Sequence, residues 1–314
     1  MAKAGKDFRT GEAPGSLPLV TIGVLSYNYE QYVISALDSL LHQTYPFIEL
    51  IIIDDCSSDN APALIDAWIN KHQLHCTYLK NENNLGITRV SNLLVKMAKG
   101  KYINLFATDD IMLPEKIARQ VNILEEAGEE YGLCYAKAEK MDEEGHSIPD
   151  EEEFAIHEGD VLVSYLKKEF AFSTPVQLIR TSVYKKVGLY DERVLIEDYN
   201  FFVRLFSKYK VKYCDYPCLI YRMKIHSPIN HAVQKNSQER YCHDRILSIE
   251  QALKFTGNLE AKKILLSKMG QYLNNLAMTG STFFYKMLFF LLSRGHFTIP
   301  VRSIKYRIGY LMNK

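Results

Sequence analysis

Four short apolar runs alternate with longer stretches in which apolar residues recur every three or four positions. The runs are residues 19–25, 47–53, 75–79 and 101–106, together rich in Ile, Leu and aromatic residues. Runs of this length predict buried strands. After the first, Tyr32, Val33, Ala36, Leu37, Leu40 and Leu41 share one face of a helix. Residues 55–60 offer Asp and Ser caps for a second helix. A third helix is predicted from Asn84-Leu85-Gly86 to about Ala98, with Gly100 as the glycine beyond its end, and a fourth from Pro114-Glu115. The βαβαβαβ order predicts a parallel sheet with right-handed crossovers. Past Gly132 the alternation breaks into short strands, one at 176–179, and a helix over about 199–209. From His231 onward the pattern is helical. The predicted organisation is a lead-in (1–16), an α/β domain (17–230, in halves 17–131 and 132–230) and a helical, basic region (231–314).

Composition changes this picture little, but charge distribution does. The 314 residues are 47% hydrophobic and 24% charged, as in ordinary globular proteins. A net charge of +1 gives no basis for nucleic-acid binding. Yet Glu260 is the last acidic residue, and Lys262, Lys263, Lys268, Lys286, Arg294, Arg302, Lys305, Arg307 and Lys314 follow it. The stretch around Glu151-Glu152-Glu153 reverses the imbalance and reads as a solvated loop. Six scattered cysteines suggest reduced thiols; Cys214 and Cys218 lack the usual zinc-ligand spacing. Residues 1–16 carry no apolar core, so no secretory signal is expected, and no run has the length of a membrane span. The expected location is cytoplasmic.

The candidate chemistry lies where two apolar runs end. Residues 47–53 run into Asp54-Asp55, and residues 101–106 into Ala107-Thr108-Asp109-Asp110. Ligands of open α/β sheets bind beyond the carboxyl ends of the strands. Acids crowded there raise each other's pKa and call for hydroxyl donors, cations or a metal; Mg2+ held by one or two carboxylates and substrate phosphates suits them. The plainer alternative is that Asp54, Asp55 and Asp59 cap the following helix, and Asp59 is expected to do only that. Likewise, Glu197-Asp198 at a helix start is also favoured by the helix dipole. A dinucleotide oxidoreductase would need a glycine-rich turn after the first strand, where Ser26-Tyr27-Asn28-Tyr29 stands instead. A nucleotidyltransferase would want a glycine-rich, basic phosphate loop, also absent. A sugar-nucleotide binding module without catalysis is the other alternative.

Several motifs, in order, resemble the family 2 inverting glycosyltransferases of GT-A fold over residues 17–227. They are residues 20–28, 39–46 and 49–59, then Asn84-Leu85-Gly86, Gly100-Lys101-Tyr102-Ile103, Thr108-Asp109-Asp110, Leu113-Pro114-Glu115-Lys116 and Glu197-Asp198. The resemblance implies a Rossmann-like, mostly parallel sheet flanked by helices, with 17–131 as the nucleotide-binding half and 132–230 on the acceptor side. It implies transfer of a sugar from a nucleotide diphosphate sugar, UDP-linked by preference, with Mg2+ or Mn2+. By position, Ser26 and Tyr27 fall against the nucleotide, Asp55 on the uracil N3–H, Asp109 on the ribose and the metal, and Asp110 on the metal. Asp198, with Glu197 beside it, matches the general base, and Arg222 and His226 match a late pair near the diphosphate.

Three departures qualify the match. Leu25-Ser26 replaces the more usual Pro-Thr, and Ala107 stands where many members carry Asp. Ser91 precedes Asn92 where many have Arg; Arg89, the nucleotide-side candidate, lies two residues earlier, about half a helical turn away. A hydroxyl acceptor on a glycan or lipid-linked glycan of cell-surface polysaccharide is implied. The acid-free tail, with its apolar cluster at Phe283, Phe284, Met287, Leu288, Phe289, Leu291 and Leu292 and a second mixed stretch at 299–311, reads in two ways. It lies on an anionic membrane at the inner face of the cell, or it packs on the protein or a second subunit.

Overall fold

The computed structural model describes residues 17–149, 155–172, 174–194, 197–223, 238–278, 283–293 and 295. The chain divides into two compact units: Met1–Val161 with Phe170–Tyr190 and Tyr209–Lys224, and Leu162–Glu169 with Asp191–Lys208 and Ile225–Lys314.

The first unit is built on one sheet. Strands β1 (Val20–Ser26), β2 (Ile48–Asp54), β3 (Thr77–Lys80) and β4 (Tyr102–Ala107) run parallel in the order β3-β2-β1-β4. Every position of β2 is buried, as expected for a strand covered on both faces. Helices α1 (Val33–Leu41), α2 (Ala61–His72), α3 (Ile87–Met97) and α4 (Lys116–Ala127) follow the strands in alternation. On α1, Val33, Ala36, Leu37 and Leu40 are the buried apolar positions, the stripe read from the sequence. Beyond β4 the sheet becomes mixed. It continues through β8 (Leu178–Arg180), β6 (Tyr131–Met141), β9 (Lys210–Arg222) and β5 (Ile111–Met112), with β7 (Ser147–Ile148) paired to β6. β6 and β9 are its two longest strands, at 11 and 13 residues. Sequence patterning resolved neither, because β9 carries Pro217 and a register shift interrupts the β6–β9 ladder between Ala136 and Ala138. A single 3-10 turn, Thr174–Val176, occupies the start of the expected strand at 176–179.

Gly100 differs from expectation. The third helix ends at Met97 with Ala98 as its cap, and Gly100 does not terminate it. A Cβ at Gly100 would lie 2.5 Å from the Thr21 backbone nitrogen, so glycine is required there by close backbone approach. The Gly100 N–H donates to Thr21 Oγ1 (3.0 Å), which in turn donates to Glu49 Oε2 (2.6 Å). Arg180, 2% exposed, ties neighbouring elements together by donating to Tyr131 O (2.8 Å), Tyr102 Oη (2.9 Å) and Gly128 O (3.0 Å).

The second unit is helical. It contains α5 (Leu162–Lys167), α7 (Glu197–Phe206), α8 (Gln238–Phe255), α9 (Leu259–Met278) and α10 (Phe283–Ser293); α6 (Thr181–Val187) belongs to the first. α8 packs against both α7 and α9. On α10, Phe284, Met287 and Leu291 are buried while Tyr285, Phe289 and Leu292 are exposed, so the apolar cluster divides between two faces. The stretch 299–311 lies outside the described residues. Among the described residues no helix is long and apolar enough to cross a membrane.

Candidate functional site

Strand register brings the candidate residues of the first unit together. Ser26 pairs with Asp54 across β1–β2, and Leu25 with Ala107 across β1–β4. The next residues, Tyr27, Asp55 and Thr108-Asp109-Asp110, therefore leave the sheet at one carboxyl edge. Ser26 is buried, and its hydroxyl has no hydrogen-bond partner among the described residues. Tyr27 is 38% exposed.

The two members of the first acid pair do different work. Asp54 folds the turn after β2: its carboxylate accepts from Ser57 N–H (2.9 Å) and Ser57 Oγ (2.6 Å). Asp55, 5% exposed, reaches the loop before α3 instead. Its Oδ1 accepts from Asn81 Nδ2 and Leu85 N–H, and Oδ2 from Gly86 N–H, all at 2.8 Å. Gly86 sits at φ +82°, a conformation open to glycine, and so presents its N–H to the acid. An ionised carboxylate has about four acceptor positions, and the three hydrogen bonds from the described residues leave one of them, on Oδ2, unused. Asp59, expected only to cap, also bridges loops: Oδ1 accepts from Ala61 N–H (3.0 Å) and Oδ2 from Glu30 N–H (2.8 Å).

The second acid pair is held by β9. The Arg222 backbone N–H donates to Asp110 Oδ1 at 3.0 Å, and Arg222 Nε donates to the Asp109 carbonyl at 3.1 Å. Its Nη1 spans the carbonyls of Asp142 (3.0 Å) and Glu143 (2.9 Å), and its guanidinium lies 4.2 Å from the Tyr32 ring centre. Arg222 thus braces the acid pair against the β6–β7 turn. Asp110 is 1% exposed, while Asp109 is half-buried. Two phenols close this end. Burial, then the charge of Asp109 and a hydrogen bond to it, and then Asp110, push the Tyr29 phenol up. Burial followed by both acids does the same to Tyr221. Carboxylates crowded with phenols form an all-oxygen donor set, which fits a hard divalent cation.

Tyr29 is not among the residues the sequence motifs point to. Its position two residues beyond Tyr27, in the loop leaving β1, was the available signal. Lys116, which closes the Leu113-Pro114-Glu115-Lys116 motif, is fully buried. Its ammonium donates to Gln120 Oε1 (2.7 Å) and Gln177 O (3.1 Å), and burial lowers it to about 8. Arg89 lies exposed in the first turn of α3. Asn92 is buried and binds the Tyr190 backbone through both amide atoms (3.0 and 2.9 Å), locking α3 to the segment after α6.

In the second unit, Glu197 and Asp198 open α7, where the helix dipole favours negative charge. Asp198 Oδ1 accepts from the N–H of Tyr199 at 2.5 Å. Burial, reinforced by Asp198, pushes the Glu197 carboxyl up to about 7. His226 lies outside the described residues.

The glycosyl transferase family 2 profile matches residues 21–227. A glycosyltransferase of Rickettsia prowazekii (strain Madrid E) is 30% identical over 229 residues, which span 71% of this chain and 69% of that one. TuaG of Bacillus subtilis (strain 168), described as a putative teichuronic acid biosynthesis glycosyltransferase, is 31% identical over 110 residues, 35% of this chain and 43% of its own. Among solved structures, S. aureus TarS 1–349 in complex with UDP-GlcNAc superposes with a TM-score of 0.63 at 19% identity, covering 82% of this chain and 72% of that one. The sheet order, the acid pairs at its carboxyl edge and the family profile agree: the chain belongs to glycosyl transferase family 2 and is a glycosyltransferase of GT-A fold.

Proposed function

We propose that the enzyme transfers a sugar from a UDP-sugar to a hydroxyl group, with inversion at the anomeric carbon and with Mg2+ or Mn2+ bound. The observation that carries this reading is the Asp55 carboxylate, fixed by three hydrogen bonds with one acceptor position left, on the residue that leaves β2 where the half-exposed Tyr27 leaves the neighbouring β1. A tyrosine face stacks on a base, and a fixed acceptor selects uracil, whose N3–H cytosine lacks. Ser26 and Arg89 are assigned to the nucleotide side, and Asp109 to the ribose. Asp110, with Asp109, would hold the divalent ion. When bound, such an ion supplies positive charge to the leaving diphosphate. Arg222 keeps the acid pair in position and, with His226, is the candidate near the diphosphate. Asp198 takes the proton of the attacking hydroxyl, with Glu197 beside it as a second carboxylate. One base and a single displacement give inversion, as in inverting glycoside hydrolases. The likeness to TuaG, a putative teichuronic acid biosynthesis glycosyltransferase, supports a role in cell-surface polysaccharide synthesis, and the acceptor is assigned as a glycan or lipid-linked glycan. The acid-free tail is assigned to the anionic inner face of the membrane, where a lipid-linked acceptor would be met.

Calorimetry with UDP and Mn2+ tests the donor side. Binding should vanish on chelation and be largely lost in Asp110→Ala. Equal affinity for CDP, whose base has no ring N–H to give, would remove Asp55 as the base reader. A screen of nucleotide sugars for metal-dependent hydrolysis, read by UDP release, then identifies the sugar.

A further inference from the structure

Three cations of the second unit lie near one another and, among the described residues, make no ion pair with an acid. Arg245 on α8 places its guanidinium 3.9 Å from the Tyr199 ring centre and 5.0 Å from that of Tyr241. Tyr241 meets Tyr272 of α9 edge-to-face at 5.9 Å, and Tyr165 of α5 stacks on Tyr199 at 5.8 Å. Lys268, half-buried on α9, and Lys168, exposed just after α5, which packs on α9, lie close enough to Arg245 for the three charges to act on one another. Burial, then repulsion from Lys168 and Arg245, pushes the Lys268 ammonium down. Burial raises the Tyr241 phenol, but Arg245, a hydrogen bond with Tyr272 and Lys168 outweigh it and leave the phenol below its ordinary range. Both shifts report a positive local potential.

Several cations elsewhere on these helices are paired with acids. Lys167 pairs with Glu260 (2.8 Å), Arg240 with Asp244 (3.0 Å) and Lys254 with Glu250 (2.9 Å). Among the described residues no salt bridge is made by Lys168, Lys268 or Arg245. Like charges gathered on a half-buried aromatic wall are costly unless an anion completes them. The wall also adjoins the candidate base: Tyr199 follows Asp198 in α7, and the Tyr165 phenol responds, after burial, to both Asp198 and Arg245.

We propose that Lys168, Lys268 and Arg245, backed by Tyr199, Tyr241 and Tyr272, form an anion subsite for the acceptor. It takes a phosphodiester or carboxylate group of the acceptor chain and so presents a neighbouring hydroxyl to Asp198. The inference rests on the assignment of Asp198 as base, but its test needs neither donor nor turnover.

Full-length protein is titrated calorimetrically with three probes: a glycerol phosphate oligomer, an oligogalacturonide and a neutral maltooligosaccharide of similar length. At least one anionic probe should bind in a salt-sensitive manner and the neutral one should not. Binding of the phosphate oligomer alone assigns a phosphodiester, and of the oligogalacturonide alone a carboxylate. Lys168→Ala/Lys268→Ala should weaken the anionic probe by about tenfold or more, given the worth of hydrogen bonds to charged groups. Lys268→Arg should restore most of the affinity, which a merely structural lysine would not predict. UDP titration of each protein reports the donor side separately, so loss of UDP binding in the wild type would sink the donor reading and leave the subsite standing. The subsite is overturned if neither anionic probe binds, if the neutral probe binds equally well, or if the double variant matches wild type.

Discussion

At the start of α7, two carboxylates stand side by side, and burial with the neighbouring charge pushes Glu197 up to about 7. In the unfolded chain this residue would titrate near its ordinary value, about 4.3. Between those two values the folded protein holds a proton that the unfolded chain has lost. Stability therefore falls as pH rises through that window and levels off above it. Glu197→Gln removes the penalty. The variant should be more stable than wild type by ~1–3 kcal/mol at pH 8 and nearly equal to it at pH 4.5, measured by denaturant unfolding. An equal difference at both pH values would mean that Glu197 titrates normally. The neighbouring acid is tested by turnover. Asp198→Asn should keep UDP binding but slow transfer by about 10²- to 10⁴-fold, the usual worth of a positioned general base. A loss of only a few-fold would move the role to Glu197, whose titration near neutrality suits a base.

Among the elements, legibility followed how local the determinants were. The β1–β4 core was readable because each strand is a compact apolar run and each helix keeps its own stripe; their observed limits differ from the reading by a few residues. The carboxyl-edge acids were readable for the same reason, since they follow directly on those runs. What the acids bind inside the protein was not readable. The grip of Asn81, Leu85 and Gly86 on Asp55 joins residues about thirty positions apart, and Arg222 braces Asp110 from more than a hundred positions away. Such contacts depend on register, which no single segment encodes. Gly100 makes the same point and gives a test. Its partner is the Thr21 backbone nitrogen, which a Cβ would approach to 2.5 Å and which cannot swing aside. Gly100→Ala should therefore destabilise the protein by ~1–3 kcal/mol in urea unfolding, as overpacking does, with UDP affinity of the folded protein preserved. An unchanged midpoint would return Gly100 to the role of a helix-ending residue.

For the whole molecule, the charge asymmetry asks for a partner. No acid follows Glu260, and four of the cations beyond Gly295 are Arg302, Lys305, Arg307 and Lys314. The helix before them is already committed on one face, where Phe284, Met287 and Leu291 are buried. A cut ahead of α10 would therefore strip core as well as charge, and a cut after Gly295 is the cleaner test. If the tail meets anionic lipid, the full chain should co-sediment with phosphatidylserine vesicles, more weakly as salt rises, and not with neutral ones. Each basic residue near such a surface contributes about 1 kcal/mol, so the chain ending at Gly295 should bind at least about tenfold more weakly. Equal binding by the shortened chain would shift the contact to the exposed side of α10, and Phe289→Ser, at a residue 74% exposed, would then have to abolish it. If neither form binds vesicles, the tail packs against protein, and the lipid-linked acceptor loses the support that charge and apolar pattern lend it.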